Sequence, residues 1–402
     1  MNLQKTIKVK IEDLGKIITG NTPPTSDENN YGGKYPFIKP TDMNIDQRYV
    51  YEYEDSYSEQ AYKRYRNSYI PKGSTGVVTI GTVGEKMFQA HEDCFTNQSV
   101  NCVIPYEDKF DKNYIYYLLK FNIEKVSEAN PGTASGRHHV SKSNFMSIKV
   151  DIFEDINIQK KISKILSNYD DLIENNQKKI ILLEEKARLI YEEWFLEFRI
   201  DGQKLNIDEN TGLPLGWKKK ALSTFIKFKK GKSSKEIFDN YEIGLLPLLS
   251  LDSLESKEYK YVKEEKQIVA LRHDILMLMD GARSSLVVYS EKGAVGSTLA
   301  LIETKKIPSS LLFHYLKVRF ELLQVNNTGA AIPHANKSFI NKMEIIVPND
   351  EVLLKWEEII NSINEEIYNL EDQNKLLKES RDILLPRLMT GMIDVDKMDI
   401  EV

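Results

Sequence analysis

Apolar positions form two long stripes of helical period, one in the middle of the chain and one near its C-terminus. In the first, Ile162, Leu166, Tyr169, Ile173, Asn176, Ile180, Leu183, Ala187, Ile190 and Trp194 follow at alternating steps of four and three. In the second, Trp356, Ile360, Ile363, Ile367, Leu370, Asn374, Leu377, Arg381, Leu384 and Leu388 do the same. A repeat of about 3.5 residues keeps the stripe on one side of a slightly underwound helix, the pattern of a coiled-coil seam. One offset, 194, relates all ten pairs, and LLEEKARLI at 182–190 aligns with LLKESRDIL at 376–384.

The regions before the stripes also match, more faintly. ITGNTPP (18–24) followed by YPFIKP (35–40) parallels KKGKSSK (229–235) followed by LPLLSL (246–251). Gly20 pairs with Gly231 and Pro36 with Pro247, both at offset 211. Gly81 pairs with Gly281 at 200, and His139 and Lys142 pair with His334 and Lys337 at 195. A shrinking offset is what loop deletions leave in a diverged duplicate. Short apolar stretches at 76–83, 274–279 and 343–347 predict strands. Lys112–Phe121 and 309–323 predict helices, so each copy reads as a mixed α/β domain of about 150 residues. The expected order is a first domain (1–155), a central helical spacer (156–200), a turn-rich linker (201–217), a second domain (218–348), a C-terminal helical spacer (349–390) and a tail (391–402).

A helix cannot bury a seam alone, so the two are expected to pair with each other. In a fully overlapped antiparallel pair Asn176 faces Asn374. An unmatched amide in an apolar layer costs about 1–3 kcal/mol, so a hydrogen bond between the two would fix register and orientation. The alternative is that each asparagine meets solvent at the seam's edge. A helix over 158–195 would span about 55 Å. A rod of that length with a similar, non-identical domain near each end suits a split, asymmetric site on DNA. The two halves would be read about one to one-and-a-half turns apart.

Composition narrows the classes. At 402 residues, 41% hydrophobic and 29% charged, the chain is long enough for two folded domains. No apolar run approaches the roughly 20 residues of a membrane span, and MNLQKTIKVKIEDLG lacks a signal-peptide core. A cytoplasmic protein with no membrane partner is expected. Two cysteines, Cys94 and Cys102, provide neither a disulfide framework nor a zinc site of usual spacing. The net charge of −5 does not describe a simple basic DNA-binding domain, but binding depends on where charge sits rather than on its sum.

Taken together, the two-fold repeat, LGKIITGNTP, HHVSKSNFMSIKV running into QKKISKIL, EEWFLEF, the restart GLPLGWKKKAL and the terminal LLPRLMTGMIDV resemble the specificity (S) subunits of Type I restriction–modification systems, HsdS. The resemblance covers nearly the whole chain. It implies an α+β fold: two similar target recognition domains, separated by two long helices in an antiparallel coiled coil, with an internal pseudo-two-fold repeat. It implies a non-catalytic subunit whose domains each bind half of a bipartite site in double-stranded DNA. The helices would set the spacer and dock two methylation (M) subunits, with up to two restriction (R) subunits joining the complex. No cofactor is expected on this chain. S-adenosylmethionine, ATP and Mg would belong to the partners. The alternatives are a specificity subunit of a methylation-only complex and a coiled-coil scaffold with no DNA role. The chain departs from the family pattern at Pro386 on the second seam, where a missing donor and a steric clash are expected to end or kink the helix near Leu385.

Catalytic motifs are weak. Asn21-Thr22-Pro23-Pro24 lacks the aromatic and the spacing of an adenine-methylating motif. GVVTIGTVGEK (76–86) lacks the Lys-Ser/Thr of a phosphate loop and reads as a strand and turn. Asp350 and Glu351 near Lys355 suit a helix start better than metal-assisted hydrolysis. His138 and His139 are adjacent, which is not metal-ligand spacing. The expectation is no catalytic, cofactor or metal residue.

DNA reading needs cations for phosphates and forked or amide side chains for base edges. The first domain offers Lys63, Arg64, Tyr65 and Arg66, where basic and aromatic residues interleave, and Arg137, His138, His139 and Lys142 after PGTASG. The second offers Lys229, Lys230, Lys232 and Lys235, then Arg283 and Ser284, then His334, Asn336 and Lys337. The bland reading of each cluster is a solvated surface. The His/Lys pair stands out because it recurs in both halves.

Overall fold

The computed structural model describes residues 6–129 and 138–400. It divides into two compact units, Met1–Lys178 with Leu370–Val402, and Lys179–Asn369. Each long helix contributes a segment to each unit.

In the first unit β1 (Thr6–Lys10) pairs antiparallel with β9 (Lys149–Phe153). The main sheet uses β2 (Gly15–Thr19), β5 (Thr75–Val78), β6 (Met87–Gln89) and β8 (Val100–Pro105) in the order β2-β8-β5-β6. A smaller sheet sets β3 (Tyr31–Ile38) antiparallel to β4 (Asp55–Tyr57) and parallel to β7 (Phe95–Thr96). All four residues of β5 are buried, which explains an apolar run without alternation. At Gly76 an added Cβ would lie 2.3 Å from the Phe88 ring, so the strand tolerates no side chain there.

The second unit begins with short hairpins, β10 (Arg199–Ile200) with β11 (Gln203–Lys204) and β12 (Ile207–Asp208) with β13 (Leu213–Pro214). They fold the polar stretch 201–217 down, and Leu213 and Trp217 are buried. The first unit's plan then recurs. Strand β14 (Lys218–Ala221) pairs with β23 (Glu344–Val347). A four-stranded sheet runs β15 (Ile226–Lys230), β22 (Leu299–Thr304), β19 (Ile275–Leu278), β20 (Val287–Tyr289). A second sheet sets β16 (Leu245–Leu249) antiparallel to β17 (Tyr261–Lys263) and parallel to β21 (Gly293–Val295), which also pairs with β18 (Val269–Ala270). The helix expected over Lys112–Phe121 is present. That expected over 309–323 is instead two, Ser309–Lys317 and Phe320–Val325, the same break that separates Lys112–Phe121 from Ile123–Glu128.

The central helix runs Ile156–Phe195 and the C-terminal helix Asp350–Met389, 40 residues each. Every one of the twenty seam positions is buried or half-buried. Within the first unit Asn176 Nδ2 donates to Asn374 Oδ1 at 3.0 Å, the antiparallel register expected from the seam. The helix does not end at Pro386 as expected from the sequence. The helix continues through it to Met389, Pro386 itself is exposed, and Leu388 is buried. Proline at an exposed position one turn from the end removes one hydrogen bond on the solvent side, where water can satisfy the freed carbonyl. Among the described residues no helix is long and apolar enough to cross a membrane.

Candidate nucleic-acid interface

The recurring His/Lys pair sits on the same piece of architecture in both units. In the first, the segment 138–140 lies against the end of β5: Gly81 N–H donates to the His138 carbonyl (3.0 Å) and Val140 N–H to Thr79 O (2.8 Å). In the second, Gly281 N–H donates to the Pro333 carbonyl (3.0 Å) and Ala335 N–H to Met279 O (2.8 Å). Gly81 and Gly281 turn the chain at φ of 89° and 108°, values that L side chains rarely adopt. A short helix follows each segment. Ser141 Oγ caps Lys142–Ser147, and Asn336 Oδ1 caps Lys337–Lys342. Lys142 and Lys337 thus open equivalent helices. Lys142, His138 and His139 are exposed, while Lys337 is half-buried with its ammonium 5.7 Å from the Phe228 ring centre.

Different side chains surround the shared backbone. In the second unit Asp280 Oδ1 is 2.7 Å from His334 Nδ1, and its other oxygen accepts from Lys230 Nζ at 3.1 Å. Partial burial pushes the Asp280 pKa up. The hydrogen bonds and charges of His334 and Lys230 outweigh this and hold it below the usual carboxylate range. In the first unit the position of Asp280 is Ile80, that of Lys230 is Thr19, and a neutral chain runs nearby. Thr19 Oγ1 donates to Asn101 Oδ1 (2.6 Å), and Asn101 Nδ2 to Thr79 Oγ1 (2.8 Å). The second unit thus joins charged side chains there, while the described bonds at Thr19 and Asn101 in the first join neutral ones.

The remaining candidates divide. Lys63 and Arg66 are exposed on the short helix Glu59–Arg64 and the turn after it. Arg64 lies 3.8 Å from Asp27 and 5.5 Å from the Tyr65 ring, and Tyr65 packs on the aromatic cluster of Phe37, Tyr57 and Phe95. Lys229 is paired with Glu303, Lys232 donates to the Lys266 carbonyl at 2.7 Å, and Lys235 is exposed. Arg283 is held bidentately by Glu255 at 2.6 and 3.1 Å, and that carboxylate raises its pKa. Two candidates are engaged within the fold. Ser284 is fully buried, with its hydroxyl and carbonyl bound by Asn327. Asn336 uses one side of its amide to cap a helix and the other to reach the Asn326 carbonyl (3.1 Å). Arg137 lies outside the described residues. Sequence reasoning missed Asp280, because a lone aspartate just past an apolar strand carries no pattern.

A family model described as the Type I restriction modification DNA specificity domain matches twice, over residues 5–185 and 214–378. The Type I restriction enzyme MjaIX specificity subunit of Methanocaldococcus jannaschii is 28% identical over 416 residues, covering 97% of this chain and 94% of that protein. The MjaVIII specificity subunit of the same organism is 30% identical over 191 residues, 46% of this chain and 45% of that one. The crystal structure of the Type I restriction–modification S subunit from M. genitalium superposes with a TM-score of 0.59 at 16% identity, covering 97% of each chain. At that identity the likeness is one of fold.

Proposed function

The chain belongs to the Type I restriction–modification DNA specificity family, and from that premise we propose that each of its two recognition units binds one half of a bipartite site in double-stranded DNA. The observation that carries this reading is the duplicated strand-end and loop around Gly81 and Gly281, which presents His139 with Lys142 in one unit and His334 with Lys337 in the other. One backbone frame with different side chains at 80/280 and 19/230 supports two different half-sites read in the same manner. Lysines at these positions would meet phosphates, while the loop residues face base edges. The paired helices would set the spacer and carry the methylation subunits. We assign S-adenosylmethionine, ATP and Mg to partner subunits, and the chemistry with them.

The test is binding of the full chain, with its methylation partners, to DNA mutated in one half-site at a time. Lys142→Ala should weaken binding with the first half-site's discrimination intact and lower the salt dependence by about one charge, as a phosphate contact does. His334→Ala should relax discrimination at the second half-site alone. Loss of discrimination at both half-sites from His334→Ala would refute the division of labour.

A further inference from the structure

The loop 44–51 of the first unit, between β3 and β4, is tied to both long helices. Toward the C-terminal helix, Asp46 accepts from Lys378 Nζ through its carboxylate (3.2 Å) and from Arg381 Nη1 through its carbonyl (3.4 Å). Toward the central helix, Arg48 Nη1 donates to Ser167 Oγ (2.8 Å) and Tyr51 Oη to Glu174 Oε1 (2.6 Å). Arg48 also holds the domain itself, donating to Gln89 Oε1 (2.7 Å) and Asn113 Oδ1 (2.6 Å), and its guanidinium lies 5.4 Å from the Tyr117 ring centre. Only 5% of Arg48 is exposed, so this is a buried anchor rather than a surface contact. Lys178 adds a cation 5.0 Å from the Tyr51 ring.

The second unit is built differently at this point. Its β16–β17 connection folds as the short helix Leu251–Ser256, and a different turn meets the C-terminal helix, with His273 stacked on Tyr368 at 3.5 Å. The first unit's connection, residues 39–54, is longer than the second's, residues 250–260. The added length carries the helix-binding residues. Sequence comparison of the halves registers it only as a change in offset.

We propose that the loop 44–51 is a positioning strap that fixes the first recognition domain on the helix pair and thereby enforces spacer length. This rests on the bipartite-site reading above. One added or removed base pair moves a half-site by about 3.4 Å and rotates it by about 35°. A domain held by bonds to two helices at once cannot follow that rotation unless the strap opens. With the strap loosened, the domain still packs on both helices through the core around Tyr114, Leu166 and Leu388, and only the part of the turn that this packing allows is regained.

The experiment uses the full chain with its methylation partners and DNA carrying the mapped half-sites at the native spacer and at one base pair more or less. The variant is Asp46→Ala with Tyr51→Phe, which removes the Asp46–Lys378 and Tyr51–Glu174 bonds and leaves Arg48 and the Asp46 carbonyl–Arg381 bond in place. The wild type should favour its native spacer by about tenfold or more in binding, and the variant should keep native-spacer affinity within about threefold while its preference falls below about threefold. Half-site sequence preference should not change. Wild-type spacer discrimination in the variant, or equal loss on every spacer, would overturn the strap. A wild type that shows no gapped site at all would overturn the bipartite reading instead, so the two failures are distinct. Arg48→Lys is the second variant. It keeps the charge but not the fork, and should also relax spacer choice.

Discussion

Removing Arg381 should destabilise the first unit far more than removing it together with its partner. Arg381 on the C-terminal helix meets Asp170 on the central helix at 2.6 Å, with 1% and 5% of the two side chains exposed. Asp170 also accepts from the Tyr117 hydroxyl, so one carboxylate joins both helices and the domain. At a separation near 4 Å and an effective dielectric of about 20, the attraction is about 4 kcal/mol, much of it offset by the desolvation of two ions. Arg381→Met leaves the carboxylate buried and should cost about 3–5 kcal/mol. Arg381 Nη2 has no hydrogen-bond partner among the described residues, so the present pair is incompletely satisfied. Arg381→Met with Asp170→Leu should therefore return to within about 1 kcal/mol of the wild type. The assay must report on the right unit. Trp194, Trp217 and Trp356 all lie in the second, so tryptophan emission would miss the effect. Hydrogen exchange across 112–121 and 370–389, with urea unfolding followed by circular dichroism, reads it directly. Protection in these segments should fall about 100-fold or more in the single variant and recover in the double. A single variant costing under about 1 kcal/mol, or a double no better than the single, would refute the reasoning.

Two further outcomes follow from the same unit. Asn374→Leu leaves the buried Asn176 amide only its long bond to Gln373 Oε1 (3.4 Å) and should cost about 1–3 kcal/mol, whereas Leu at both positions should restore stability but loosen helix register; crosslinks between cysteine pairs placed one heptad apart would detect the slippage, and a single in-register product would argue against a register role. Lys120 has its pKa lowered to about 8, by burial first and then by Arg381, against the opposing pull of Asp170, Asp382 and Asp46. The unfolded amine holds its proton to about 10.5, so between pH 8 and 10.5 the unfolded state binds more protons and stability rises with pH. Lys120 keeps an accessible margin, so the effect is about 1–3 kcal/mol, and Lys120→Met should gain it at pH 7 and flatten that slope. An unchanged slope in urea unfolding at a series of pH values would contradict it.

Much of the architecture was legible because it is periodic. The seams announced two long helices, and their constant offset announced duplication and register, because a coiled coil writes its partner's position into its own sequence. The Asn176–Asn374 pair followed from that arithmetic. Buried charges were not legible. Asp170, Arg48 and Lys120 look like surface residues in a sequence, and only the fold brings Asp170 beside Arg381 and Tyr117. In the candidate interface, Ser284 and Asn336 are engaged within the fold, which their sequence context does not record. Both were chosen for side-chain chemistry that suits base reading, but the fold already uses it: the Ser284 hydroxyl accepts from the Asn327 amide, and Asn336 caps a helix. The expectation that the helix could end at Pro386 failed because the cost of a helical proline depends on whether the freed carbonyl faces solvent, which periodicity does not record.

The central claim is that this chain chooses the DNA sequence on which its partners act. Mapping methylated adenines in DNA from cells with and without the chain tests it most directly. The account predicts a gapped motif, two short specific blocks around a fixed unread spacer, that disappears when the chain is deleted and changes in one block alone with His334→Ala. A methylation pattern identical in both kinds of cell would contradict it.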